Sequence, residues 1–94
     1  MFKKRRGIHL PYVKQGLIHF VCANYRDMPP DIQQKILNLC IEVGKEDYKA
    51  LFEVMTDEYK SVLSVSLKHY ISEKKLYSLR QAFYERWEKY MKEA

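Results

Sequence analysis

Three observations predict an all-α fold. Apolar residues recur at helical spacing along nearly the whole chain, no segment alternates convincingly with the two-residue period of a half-buried strand, and only three glycines occur in 94 residues. With 47% apolar and 14% aromatic content, the chain can form one compact core and is too apolar to be disordered throughout. The prediction is a single domain over residues 1–94 with about five helices.

Residues 1–10 open with the basic run Lys3, Lys4, Arg5 and Arg6 and are expected to form a flexible arm. Pro11 suits a first helical turn, and Val13, Leu17, Phe20, Val21 and Asn24 follow at helical spacing, giving a helix over about 11–26. Pro29 and Pro30 end it and start the next, because proline disfavours helix in its predecessor yet fits a first turn. Ile32, Ile36, Leu39, Cys40 and Val43 make the second stripe, with Gly44 as its expected C-terminal cap. Tyr48, Leu51, Phe52 and Met55 make a third, over about 46–55. Thr56 and Asp57 are expected to cap a fourth helix running to about His69. A fifth follows Ser72, its period kept by Leu76, Leu79, Phe83, Trp87 and Tyr90.

Residues 62–81, VLSVSLKHYISEKKLYSLRQ, carry the strongest functional signal. Two helices meeting at about 90–120° across a turn of about 3–4 residues constrain only a few positions. The fifth must be small for close packing, and Ser66 stands there; Val65, Ile71, Leu76 and Leu79 occupy the shared core positions. Ser72, the eleventh, can cap the second helix. The ninth position usually holds glycine, because the turn requires positive φ; here it is Tyr70, at a cost of about 1–2 kcal/mol. On these residues, the segment 56–87 resembles helix-turn-helix DNA-binding proteins, in particular small regulators of bacteriophages and mobile elements and the terminal DNA-binding region of some sigma factors. The resemblance implies a three-helix unit over about 46–91 and sequence-specific binding of double-stranded DNA. It also implies transcriptional regulation, with dimers reading paired half-sites.

If Leu76, Leu79 and Phe83 face the core, Glu73, Lys74, Tyr77, Ser78 and Gln81 turn outward, with Lys75 and Arg80 at the margins. Together with Ser72 these are the candidate DNA contacts. Lys74 can reach guanine acceptors and Gln81 the N6/N7 edge of adenine; Tyr77 and Ser78 can meet phosphate or a thymine methyl, and Glu73 can accept from cytosine N4. The Lys3, Lys4, Arg5 and Arg6 arm can follow phosphates or enter a minor groove. The net charge of +5 is concentrated at the ends: residues 1–28 carry six basic and one acidic side chain, residues 29–71 five and seven, residues 72–94 six and four. That distribution suits a polyanionic partner. Arg86, Lys89 and Lys92 alternate with Glu85, Glu88 and Glu93, which reads as pairing along an exposed helix.

Enzyme chemistry is poorly supported. His9, His19 and His69 are scattered, and the acidic pairs Glu46, Asp47 and Asp57, Glu58 sit where helices begin and are explained by capping. No nucleophile arrangement, phosphate loop, metal constellation or cofactor motif is present in the sequence. Cys22 and Cys40 fall in helical patterns and read as buried thiols. No apolar run approaches the about 20 residues that span a bilayer, and the opening lacks a secretory signal pattern, so the expected location is cytoplasmic, with no membrane partner. Eight tyrosines carry an alternative reading: a helical interaction module that docks on RNA polymerase, a phage component or a second copy, without touching DNA.

Overall fold

The computed structural model describes residues 4, 5 and 7–92, and among them all regular structure is helical. The α-helices are α1 (Tyr12–Ala23), α2 (Pro30–Gly44), α3 (Tyr48–Thr56), α4 (Val62–His69) and α5 (Glu73–Lys92). Single 3₁₀ turns at Tyr25–Asp27 and Lys45–Asp47 lead into α2 and α3. The all-α class is therefore observed, and no described helix is long and apolar enough to cross a membrane.

α5, with 20 residues and hence about 30 Å of length, is the spine. Its Phe83, Tyr84 and Trp87 join Ile18 and Cys22 of α1, Ile36, Leu39, Cys40 and Val43 of α2, and Leu51 and Met55 of α3 in the larger core. A smaller core of Ala50, Val62, Val65 and Leu76, edged by Val54 and Ile71, seats α4 on α3 and α5. Burying each side chain of this size contributes about 1.5–3 kcal/mol. The segment that resembles a DNA-binding motif thus has an apolar seam of its own at the edge of the main core. Both cysteines are free and buried. Burial pushes the Cys22 thiol up and that of Cys40 to about 12, so neither is a reactive thiolate near neutral pH.

Several local expectations are corrected. The Val13, Leu17 and Phe20 stripe of α1 faces outward, 77%, 57% and 61% exposed, while Gln15, Ile18 and Cys22 form the buried face. α1 is apolar on two sides, and periodicity alone cannot say which side is covered. Of the expected arm over residues 1–10, the described part is not free along its length: Ile8 is buried in the main core. Gln15, also buried, donates from Nε2 to the carbonyls of Ile8 and Leu10 (3.3 and 3.1 Å) and accepts from the Arg5 N–H (2.8 Å). α4 starts at Val62 rather than near Asp57, because Asp57 Oδ1 accepts the Tyr59 N–H (3.1 Å) in a turn while Ser61 Oγ accepts the Ser64 N–H (3.1 Å) as the cap. Gly44 keeps right-handed helical geometry, and the positive φ of 52° falls on Lys45. At 44 glycine instead permits a close approach, since a Cβ there would lie 3.3 Å from Tyr48 Cβ. Finally, Glu88 pairs with Lys14 of α1 and Arg86 approaches Glu42 of α2 at 3.8 Å, so these charges also tie helices together instead of pairing only along α5.

Candidate nucleic-acid interface

Only residues 70–72 separate α4 from α5. Tyr70 adopts the left-handed conformation, φ 57° and ψ 41°, with its side chain 95% exposed. Its N–H and that of Ile71 both reach the Ser66 carbonyl, the latter at 3.1 Å, closing the end of α4. The ninth position of the motif therefore has the positive φ that glycine usually supplies, carried by tyrosine. Val65 and Leu76 are fully buried, and Ser66 is 5% exposed, its Oγ donating to the Leu63 carbonyl at 2.8 Å. Ile71 packs on the small core and Leu79 on the large one. Ser72 caps α5 as predicted: its Oγ accepts the Lys75 N–H at 3.0 Å.

The sequence-derived contact residues divide into two groups. Ser72, Glu73, Lys74, Tyr77 and Ser78 are exposed, and Gln81, half-buried, stands at the edge of their face with its Nε2 3.4 Å from Glu85 Oε2. Lys75 turns away to pair with Asp47, with Glu46 at 3.9 Å, tying the start of α5 to the turn before α3. Asp47 in turn raises the Lys75 pKa. Arg80 also leaves the face, lying half-buried with its guanidinium carbon 4.9 Å from the centre of the Tyr77 ring.

Two charged clusters flank α4, and neither was read from the sequence. In the first, Glu53 of α3 meets Lys60 (2.8 Å), Lys68 (3.1 Å) and His69 Nε2 (3.0 Å), fixing both ends of α4 against α3. The Lys60 hydrogen bond foremost, with those of His69 and Lys68, holds the Glu53 carboxyl at about 2, against the burial that opposes ionisation. This cluster borders a broad concavity between α2, α3 and the Tyr25–Asp27 turn.

The second cluster surrounds a cavity of about 260 Å³ lined by Arg5, His19, Asp57, Glu58, Lys60, Arg80 and the start of α4. Arg5 is placed there by Gln15 and by its Nε, which donates to Tyr84 Oη at 3.3 Å. Burial first, then the positive charge of Arg5, lowers the Arg80 pKa to about 10. The same two causes lower that of His19, with Glu58 opposing and Arg80 adding to the decrease. Among the described residues no ion pair to Arg80 forms. Of the predicted arm, Lys4 is exposed, whereas Lys3 and Arg6 lie outside the described residues. A sequence signal for this cluster exists only in retrospect: Gln15 on the buried face of α1 marks where the N-terminal segment is tied down. No family model matches the chain, and neither does any curated protein or solved structure.

Proposed function

We propose that this protein binds double-stranded DNA, with α5 entering a major groove and Glu73, Lys74, Tyr77, Ser78 and Gln81 facing base edges and phosphates. The observation that carries the reading is the turn at residues 70–72, where left-handed Tyr70 and the Ser72 cap join two short-linked helices over a shared apolar seam. One face of the first turns of α5, carrying Glu73, Lys74, Tyr77 and Ser78, is exposed. The net charge of +5 supports a polyanionic partner. Such a binder serves as a transcriptional regulator, as in bacteriophages and mobile elements, and pairing of two copies lets it read two half-sites one helical turn apart.

Selection of bound duplexes from a random library tests the reading and yields the site. Lys74→Ala and Gln81→Ala are then expected to weaken binding to the selected sequence about tenfold or more, with the fold kept. Absence of any shift of mixed duplexes at low salt would sink the proposal.

A second reading rests on a different observation, the exposed Val13, Leu17 and Phe20 stripe of α1. Such a stripe suits a protein interface, with RNA polymerase or a second copy as the covering surface. Retention of a partner after nuclease treatment, lost in Leu17→Ser, would favour it.

A further inference from the structure

We propose that the cavity between α1, residues 57–61 and α5 is a phosphate-binding site, in which Arg80 and Arg5 grip one phosphate group with His19 at its wall. On the DNA-binding reading this group is a backbone phosphate beside the recognition face, so the source of the phosphate rests on that reading while the cavity does not.

Arg5 and Arg80, from opposite ends of the chain, both line one hollow of about 260 Å³. Each arginine has contacts that restrict it. Arg80 lies against the Tyr77 ring, and Arg5 is held through the Gln15 amide and Tyr84 Oη, with its guanidinium carbon 5.9 Å from the centre of the Tyr84 ring. Planar guanidinium forks match the oxygens of a phosphate, and prior immobilisation lowers the entropy lost on binding.

The charges around the hollow favour an anion at the Arg80 end. Asp57 and Glu58 also line it and carry negative charge, but Glu58 acts on His19 and Asp57 on Lys60, whereas the groups whose charge shifts Arg80 are Arg5, Tyr84 and Tyr77. Lys60 is paired with Glu53 at 2.8 Å. Arg80 is left as a partly desolvated cation whose charge is opposed by Arg5. A phosphate between the arginines would reverse that repulsion, and its charge would favour protonated His19. Tyr77 connects the cavity to the exposed face, since one side of its ring carries Arg80 while the residue is 47% exposed.

The probe is inorganic phosphate, added to the full chain against chloride at equal ionic strength, so that general screening of Arg5 and Arg80 acts alike in both arms. Titration of the His19 ring by NMR should show phosphate raising its pKa by about one unit over chloride. The rise should disappear in Arg80→Gln and in Arg5→Gln and persist in Lys89→Gln. Using two arginine variants keeps the test open if one fails to fold. In mobility shifts, Arg80→Gln should weaken binding to all duplexes alike and reduce the salt slope by about one.

If His19 ignores phosphate while Lys74→Ala still costs sequence-specific affinity, the cavity proposal is overturned and the DNA reading stands. If His19 responds through Arg80 but no duplex is shifted, the cavity stands as a site for free phosphate or a small phosphorylated ligand, and the DNA reading falls.

Discussion

The two charged clusters beside α4 are opposites in sign and in completeness. Around Glu53, one carboxylate is surrounded by Lys60, Lys68 and His69, and its ionised form is favoured. Around Arg80, burial and the charge of Arg5, which lines the same cavity, disfavour the charged form. They also differ in how the chain builds them. The partners of Glu53 lie within 16 positions of it, whereas Arg5 reaches Tyr84 across 79. The first cluster is charge used to orient α4 on α3. The second is charge collected from distant parts of the sequence, with no ion pair to Arg80 among the described residues. Such an arrangement costs folding energy, and on the phosphate-site proposal a bound anion offsets it.

The largest way to break this contrast is at Gln15, which holds the N-terminal end of the second cluster and contributes nothing to the first. Gln15→Leu removes hydrogen bonds to the Ile8 and Leu10 carbonyls and from the Arg5 N–H. The expected loss is about 3 kcal/mol in urea unfolding, since groups left unsatisfied in a covered site cost about 1–3 kcal/mol each and some regain water. The phosphate response of His19 should vanish with it, while the NMR signature of the Glu53 and His69 contact remains. Survival of that response would show that Arg5 needs no anchoring.

Glu53→Gln attacks the other cluster with a smaller effect. Its two lysine ion pairs and its His69 hydrogen bond are partly exposed, so the expected cost is about 1 kcal/mol in total near neutral pH. The pH dependence sharpens the assignment. The carboxyl titrates at about 2 when folded and near the ordinary 4.5 when unfolded, so its contribution is complete above about 4.5 and is lost as pH falls toward 2. Wild-type stability should therefore fall more steeply than that of Glu53→Gln between these values. Parallel curves would show that the cations around Glu53 do not stabilise its charge.

The contrast also marks what could be read from the sequence. Helix periods, the proline break and the Ser72 cap depend on neighbours a few positions apart, and each was legible. So was the seam of Val65, Ile71 and Leu76, because close packing across a short turn restricts residue type directly, whereas Leu79, expected beside them, packs on the larger core. Tyr70 illustrates the limit of that reasoning: its position required a left-handed backbone, yet nothing local indicated that tyrosine would adopt it. At Gly44 the reverse occurred, with glycine used for proximity to Tyr48 and the positive φ passed to Lys45. The outward face of α1, the anchored N-terminal segment and both charged clusters depend on which surfaces meet in three dimensions. Lys75 and Arg80 looked equivalent as marginal cations on α5. Only the fold gives one of them Asp47 and the other Arg5.

The smallest effect is the most discriminating, because the clusters should respond with opposite sign to losing a charge. Where Glu53→Gln destabilises, Arg80→Gln should leave stability unchanged or raise it by a few tenths of a kcal/mol in low salt without phosphate, since it removes a desolvated cation repelled by Arg5. The retained stem and amide can still cover Tyr77, which limits the packing loss. Added chloride screens the arginine repulsion in the wild type, so the difference should shrink as salt rises. Added phosphate should go further and favour the wild type, because a ligand that binds only the folded form stabilises it. A clear destabilisation by Arg80→Gln in low salt, insensitive to phosphate, would mean that Arg80 is a structural cation with the same role as the partners of Glu53, and the contrast between the clusters would disappear.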